Sequence, residues 1–175
     1  MRIALLALLA ATLATAARAE ILDVGPSGFT QRQSLAIAAS PAQVWDGFAN
    51  WGAWWDGAHT FGGDASHLSI DLAPGGALDE GLTDGGGVRH LVVVNSQTWR
   101  LLRLQGALGP LQALGVAGSL TFTLKETATG TQLTETYDVG GHAPGGVGQF
   151  AAPVDGVMAL QMGRLKKFVE TGKAG

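Results

Sequence analysis

In "QLTETYDV", Leu133, Glu135, Tyr137 and Val139 fall on one side of a period-two pattern, and Thr134, Thr136 and Asp138 fall on the other. A strand patterned this way turns the Glu135 carboxylate toward the core. There it needs a partner or a polar ligand, and its pKa rises if it has neither. With Tyr137 and Gln161, such a group can fix the polar end of a bound molecule or act as a general acid or base. The same pattern admits two plainer outcomes: a strand near a sheet edge, or pairing of Glu135 with Arg89, Arg100 or Arg103.

A second concentration of chemistry is "WGAWWDGAHTFGGD", which holds three of the chain's five tryptophans, a histidine and a phenylalanine. Trp51, Trp54, Trp55 and Phe61 can wall a cavity, with indole N–H groups to orient a ligand, or one of the rings can plug a gap between helix and sheet. His59, Asp64 and His67 are ligand types for zinc or iron, but they lack the i, i+4 helical pair that puts two imidazoles on one side. No metal site is expected, and His90 and His142, in a strand and a separate loop, do not change that. The glycines of Val139 to Phe150 lack phosphate-loop spacing, no G-x-S-x-G elbow is present, and the chain has no cysteine to serve as a thiol nucleophile. No cofactor is expected.

The elements that must position these residues follow from periodicity. Leu35 and Ile37 in "FTQRQSLAIAAS" mark a first strand. Ser40, Pro41 and Gln43 spell a capping box for a short helix bearing Val44, Trp45 and Phe48, which Asn50 and Gly52 break or redirect. From Leu68 to Val139 the period is two, with turns at "PGG", "TDGGG" and "TATGT", so an antiparallel meander is predicted. "GALGPLQALG" is unusually apolar for a connection, so Leu108, Leu111 and Leu114 must be covered or serve as a lid or contact surface. "PVDGVMALQMGRLKKFVETG" reads as a long helix with Val154, Val157, Met158, Met162, Leu165, Phe168 and Val169 as its stripe and Gly172 as C-cap. The predicted class is α+β: a curved antiparallel sheet of six to seven strands around a long C-terminal helix, with two short helices after the first strand.

Residues 1–19 read as a secretory signal peptide: Arg2, an apolar run from Ile3 to about Ala14, and Ala17-Arg18-Ala19 before a cut ahead of Glu20. Residues 20–175 are then one exported domain, periplasmic or secreted. No later stretch approaches the roughly 20 apolar residues of a spanning helix, so stable membrane insertion is not expected. The net charge of −3, without Lys/Arg clusters, argues against nucleic-acid binding.

The order of elements resembles the START-like superfamily, also called SRPBCC, which includes the birch-pollen-allergen fold, polyketide cyclases and activators of the heat-shock-protein ATPase. The residues that carry the resemblance are "IAASPAQVWDGF", the pair Trp54-Trp55, "LTETYDVGG" and "RLKKFVETG", within a match from about Phe29 to Gly172. It implies a helix-grip fold with a cavity for an apolar or amphipathic small molecule such as a lipid, a polyketide-like ring system or a xenobiotic. On that basis Trp54, Trp55, Phe61, Phe122, Glu135, Tyr137, Met158, Gln161 and Met162 are the expected ligand contacts, with no catalytic residue. Two alternatives stay open: a cyclase- or hydrolase-like enzyme using Glu135 with His59 or His90 as acid/base groups, and a protein-interaction module. The superfamily identifies a fold better than a reaction. Oligomeric state is not legible.

Overall fold

The computed structural model describes residues 18–175, so most of the expected signal peptide lies outside the described residues. One antiparallel sheet of eight strands has the order β1-β2-β8-β7-β6-β5-β4-β3. The strands are β1 (Arg18–Gly25), β2 (Gly28–Ile37), β3 (Leu68–Ile70), β4 (Ala77–Gly81), β5 (Gly87–Gln97), β6 (Leu101–Gly106), β7 (Gly115–Thr127) and β8 (Gly130–His142). The helices are α1 (Pro41–Ala49), α2 (Trp51–Trp54) and the long α3 (Ala151–Thr171).

The class is the α+β one that the sequence predicts, with one strand more. The strand expected to come first is β2, and β1 precedes it at the edge. Ile21, Leu22 and Val24 are 39 to 56% exposed, so β1 has no buried face to betray it by alternation. β1 also begins before the expected cleavage point, pairing Arg18 with Ser34 and Ala19 with Gln33.

Helix α1 starts as its sequence dictates. The Ser40 side chain accepts from the Gln43 N–H, the Gln43 side chain accepts from the Ser40 N–H, and Pro41 occupies the first turn. Val44, Trp45 and Phe48 are buried beneath it. Its end at Asn50 leads directly into α2, a single turn that buries Trp51 and Trp54. At the other end of the chain, Gly172 closes α3 with φ +76°, a left-handed conformation that glycine adopts without strain.

Helix α3 packs on the concave face of the sheet, chiefly against β2, and also against α1 and α2. Ala151, Met158, Gln161, Met162 and Leu165 are its buried residues. Where α3 passes α1, a Cβ at Gly47 would stand 2.8 Å from Val169 Cγ2 and 3.0 Å from Leu165 Cδ1, so glycine sets how closely the two helices approach. Among the described residues no helix is long and apolar enough to cross a membrane.

Candidate functional site

The first half of α3 meets β2 but stands off strands β3 to β5. A partly enclosed cavity of about 440 Å³ lies between Pro153, Val154, Val157 and Met158 of α3, the aromatic segment, strands β3 to β5 and the loop after β6. Trp51, Trp55 and Phe61 form its aromatic wall, Leu68, Leu78 and His90 come from the sheet, and Phe150 stands at the entry to α3. The apolar loop "GALGPLQALG" folds into a 3-10 turn, Gly109–Ala113, that supplies Leu108, Gly109, Pro110 and Leu111. Leu108 and Leu111 are thus covered by lining the hollow, and Leu114 packs half-buried against the core. Tyr137 ties this loop down: its hydroxyl donates to the Gly106 carbonyl at 3.3 Å and accepts the Leu108 N–H at 3.2 Å. Burial pushes the Tyr137 hydroxyl up to about 12, so it remains a protonated donor.

Of the residues expected to contact a ligand, Trp55, Phe61 and Met158 border this cavity together. Trp54, Phe122 and Met162 are fully buried in the core and lie outside its lining. Trp54 acts as the plug: its Nε1–H donates to the Gly47 carbonyl at 2.8 Å, and its ring lies 4.8 Å from that of Trp51. Tyr137 touches the loop rather than the hollow. Gln161 stitches helix to segment, accepting the Asp56 N–H at 2.9 Å and lying 3.1 Å from His59 Nδ1.

Glu135 points inward, as alternation predicts, and is fully buried. Among the described residues no arginine pairs with it. Arg89 pairs with Asp79 and Arg103 donates to Thr121. Instead Gln31, directly across the sheet from Tyr137 on the neighbouring strand, donates from Nε2 to both carboxylate oxygens at 2.8 and 3.0 Å. Gln33 continues the seam to Asp155 on α3 at 2.7 Å. Burial, opposed by the Gln31 bond and reinforced by the nearby Asp155 charge, pushes the Glu135 carboxyl up to about 8. Glu135 does not border the cavity.

The ionisable pair that does reach the cavity is His90 with Glu80. A register shift between β4 and β5 pairs Leu78 with Leu91 but Asp79 with Arg89, leaving His90 as the extra residue. The bulge turns His90 inward beside Leu91, and the two are 6% and 1% exposed. Its Nε2 lies 2.9 Å from Glu80 Oε2. Glu80 also accepts the Phe61 N–H at 3.0 Å and the Gly62 N–H at 2.5 Å. Burial acts to raise the Glu80 pKa, but these two loop donors and His90 outweigh it and hold the carboxyl below its ordinary value. Of the two neutral tautomers of His90, the one with hydrogen on Nε2 is the one that can donate to Glu80.

The hollow, the gripping helix and the curved sheet together define the architecture. It is a helix-grip fold. Solved structures agree on that fold. A conserved protein of unknown function from Enterococcus faecalis is similar with a TM-score of 0.62 and 18% identity, over 90% of this chain and 80% of that one. CalU16 from Micromonospora echinospora gives 0.59 and 13%, over 89% and 84%. DynU16, a protein in the dynemicin biosynthetic locus, gives 0.55 and 24% over 82% of this chain, which spans 48% of DynU16. No family profile and no curated protein matches the sequence. Within the helix grip described here, no group of three or more His, Asp or Glu side chains capable of holding a metal occurs among the described residues.

Glu80, Leu78, Leu68, Phe150 and Pro153 are site residues that sequence reasoning does not single out. For Glu80 the signal is present, since Leu78 and Glu80 share one side of "ALDEGL". For the others, a position in a strand or at a helix entry says nothing about which void it faces.

Proposed function

We propose that the protein binds an apolar or amphipathic small molecule in the helix-grip cavity, and that it does so after export, as a periplasmic or secreted protein. A lipid, a polyketide-like ring system or a xenobiotic is the class of ligand in view. The single observation that carries this reading is the hollow of about 440 Å³, walled mainly by apolar side chains and bounded in part by the aromatic segment. A ligand that buries about 200 Å² of apolar surface there gains roughly 5 kcal/mol, before the costs of association. The fold-level likeness to DynU16, from a biosynthetic locus, supports a small organic ligand. Export is supported by the pattern of residues 1–19. A role for Glu135 as an acid or base in the cavity draws no support from its position behind Gln31.

The test is calorimetric titration of the mature domain with 2-methoxynaphthalene. Saturable one-to-one binding, lost when Val154→Trp fills the hollow, is the expected result. Absence of saturable binding to the unsubstituted protein overturns the reading.

A further inference from the structure

We infer that the cavity is built for a planar ligand bearing a hydroxyl donor, a phenol or an enol, which hydrogen-bonds to Nδ1 of His90. This inference rests on the small-molecule reading above and specifies the ligand's chemical class. Three observations lead to it. First, the bulge spends a break in the β4–β5 ladder to bring an imidazole into a mainly apolar lining. Second, the imidazole is held from behind: Nε2 contacts Glu80, and Glu80 is itself fixed by the Phe61 and Gly62 N–H groups, so the ring has one preferred orientation and tautomer. Third, Nδ1 is left without a partner among the described residues. It is not one of the sealed, unpartnered atoms either, which are Trp51 Nε1 and His67 Nδ1.

With hydrogen on Nε2, Nδ1 offers a lone pair and asks for a donor. The other polar side-chain groups at the cavity are sealed in the core, as Trp51 Nε1 is, or already occupied or exposed. The Thr60 hydroxyl donates to the Gly57 carbonyl, and His59 is exposed and engaged by Gln161 through its own Nδ1. The walls choose the shape of the donor's carrier. Phe61 lies against His90 with ring centroids 5.7 Å apart, and Trp51 and Trp55, 5.7 Å from each other, belong to the same lining, so flat aromatic faces are among the walls of the hollow that His90 borders. An acidic hydroxyl is favoured over an aliphatic one because the Glu80 carboxylate strengthens the acceptor at the far side of the ring.

The experiment compares 2-naphthol with 2-methoxynaphthalene, which differ at the donor and match in the rings. Calorimetry of the unsubstituted protein should give naphthol binding about tenfold tighter than the ether. In His90→Phe the two affinities should converge while the ether still binds. Because that substitution leaves Glu80 without its histidine, a second measurement uses the unsubstituted protein: the nitrogen-15 resonance of His90 Nδ1 should carry the signature of an unprotonated nitrogen and move on adding naphthol, but not on adding the ether. Equal affinity for both ligands, or a stationary Nδ1 resonance, overturns the hydroxyl proposal and leaves the cavity reading standing. Failure of both ligands to bind overturns the two together.

Discussion

Glu80 and Glu135 are both buried in the same sheet, yet they sit in opposite kinds of surroundings. Glu80 stands behind His90 of the cavity wall and collects two backbone N–H groups and an imidazole, so its ionised form is the favoured one. Glu135 lies in a sealed seam between β2, β8 and α3, where one glutamine amide faces it and an aspartate adds repulsion, so its neutral form is favoured. Burial strips both carboxylates of water, and more heavily Glu135, which lies deeper. The number of donors brought to each differs too, and donors were assembled where the interior is hollow rather than where it is filled. The same division runs along α3. Its first half faces the hollow with Val154 and Val157, whereas Met162 and Leu165 in its second half are fully buried.

The largest effect should come from the titration of Glu135. Its folded-state pKa is raised from 4.5 to about 8, so the folded protein binds more protons than the unfolded chain between those values. Its contribution is complete below about pH 4.5 and is lost as pH climbs toward 8, a fall on the order of a few kcal/mol. Urea midpoints should show this decline, and Glu135→Gln, which mimics the neutral acid, should flatten it. Glu80 has the opposite sign: its stabilisation is present above its ordinary value and is lost as pH falls through the depressed one. Glu80→Gln should therefore weaken the protein at neutral pH and remove part of its acid sensitivity.

Next in size is truncation along the helix. Leu165→Ala should cost about 3 kcal/mol in urea unfolding, and Val154→Ala at the hollow should cost under about 1 kcal/mol, because its methyl groups already border empty volume. Equal costs at the two positions would erase the distinction between the ends. Gly47→Val should then cost about 2 kcal/mol by forcing α3 off α1, with no comparable loss of cavity binding. The smallest effect is a gain. Gly156 sits inside α3 with nothing within 4 Å of a built Cβ, so Gly156→Ala should stabilise by about 0.5–1 kcal/mol.

Sequence reasoning reached some of these features and not others, for physical reasons. The capping box at Ser40 and Gln43 is local chemistry, and it forms as written. The inward turn of Glu135 follows from strict alternation in an unbroken strand, and the same rule applied to "ALDEGL" places Glu80 inward with Leu78. His90 escapes that rule because the bulge puts it and Leu91 on one side, and a bulge is a property of two paired strands rather than of one. β1 is invisible to periodicity because neither of its faces is buried. Phe122 and Met162 are inward, as their patterns require, but inwardness does not say whether a side chain fills space or borders a void. That depends on how far three elements stand apart, here α3, the aromatic segment and the loop of Leu108 and Leu111.

The most direct test of the hollow is a crystal of the mature domain soaked with 1-bromonaphthalene and measured at the bromine absorption edge. The account predicts one anomalous peak bounded by Trp55, Phe61, Leu111 and Val154. A cavity filled by side chains, or bromine found only outside those residues, would contradict it.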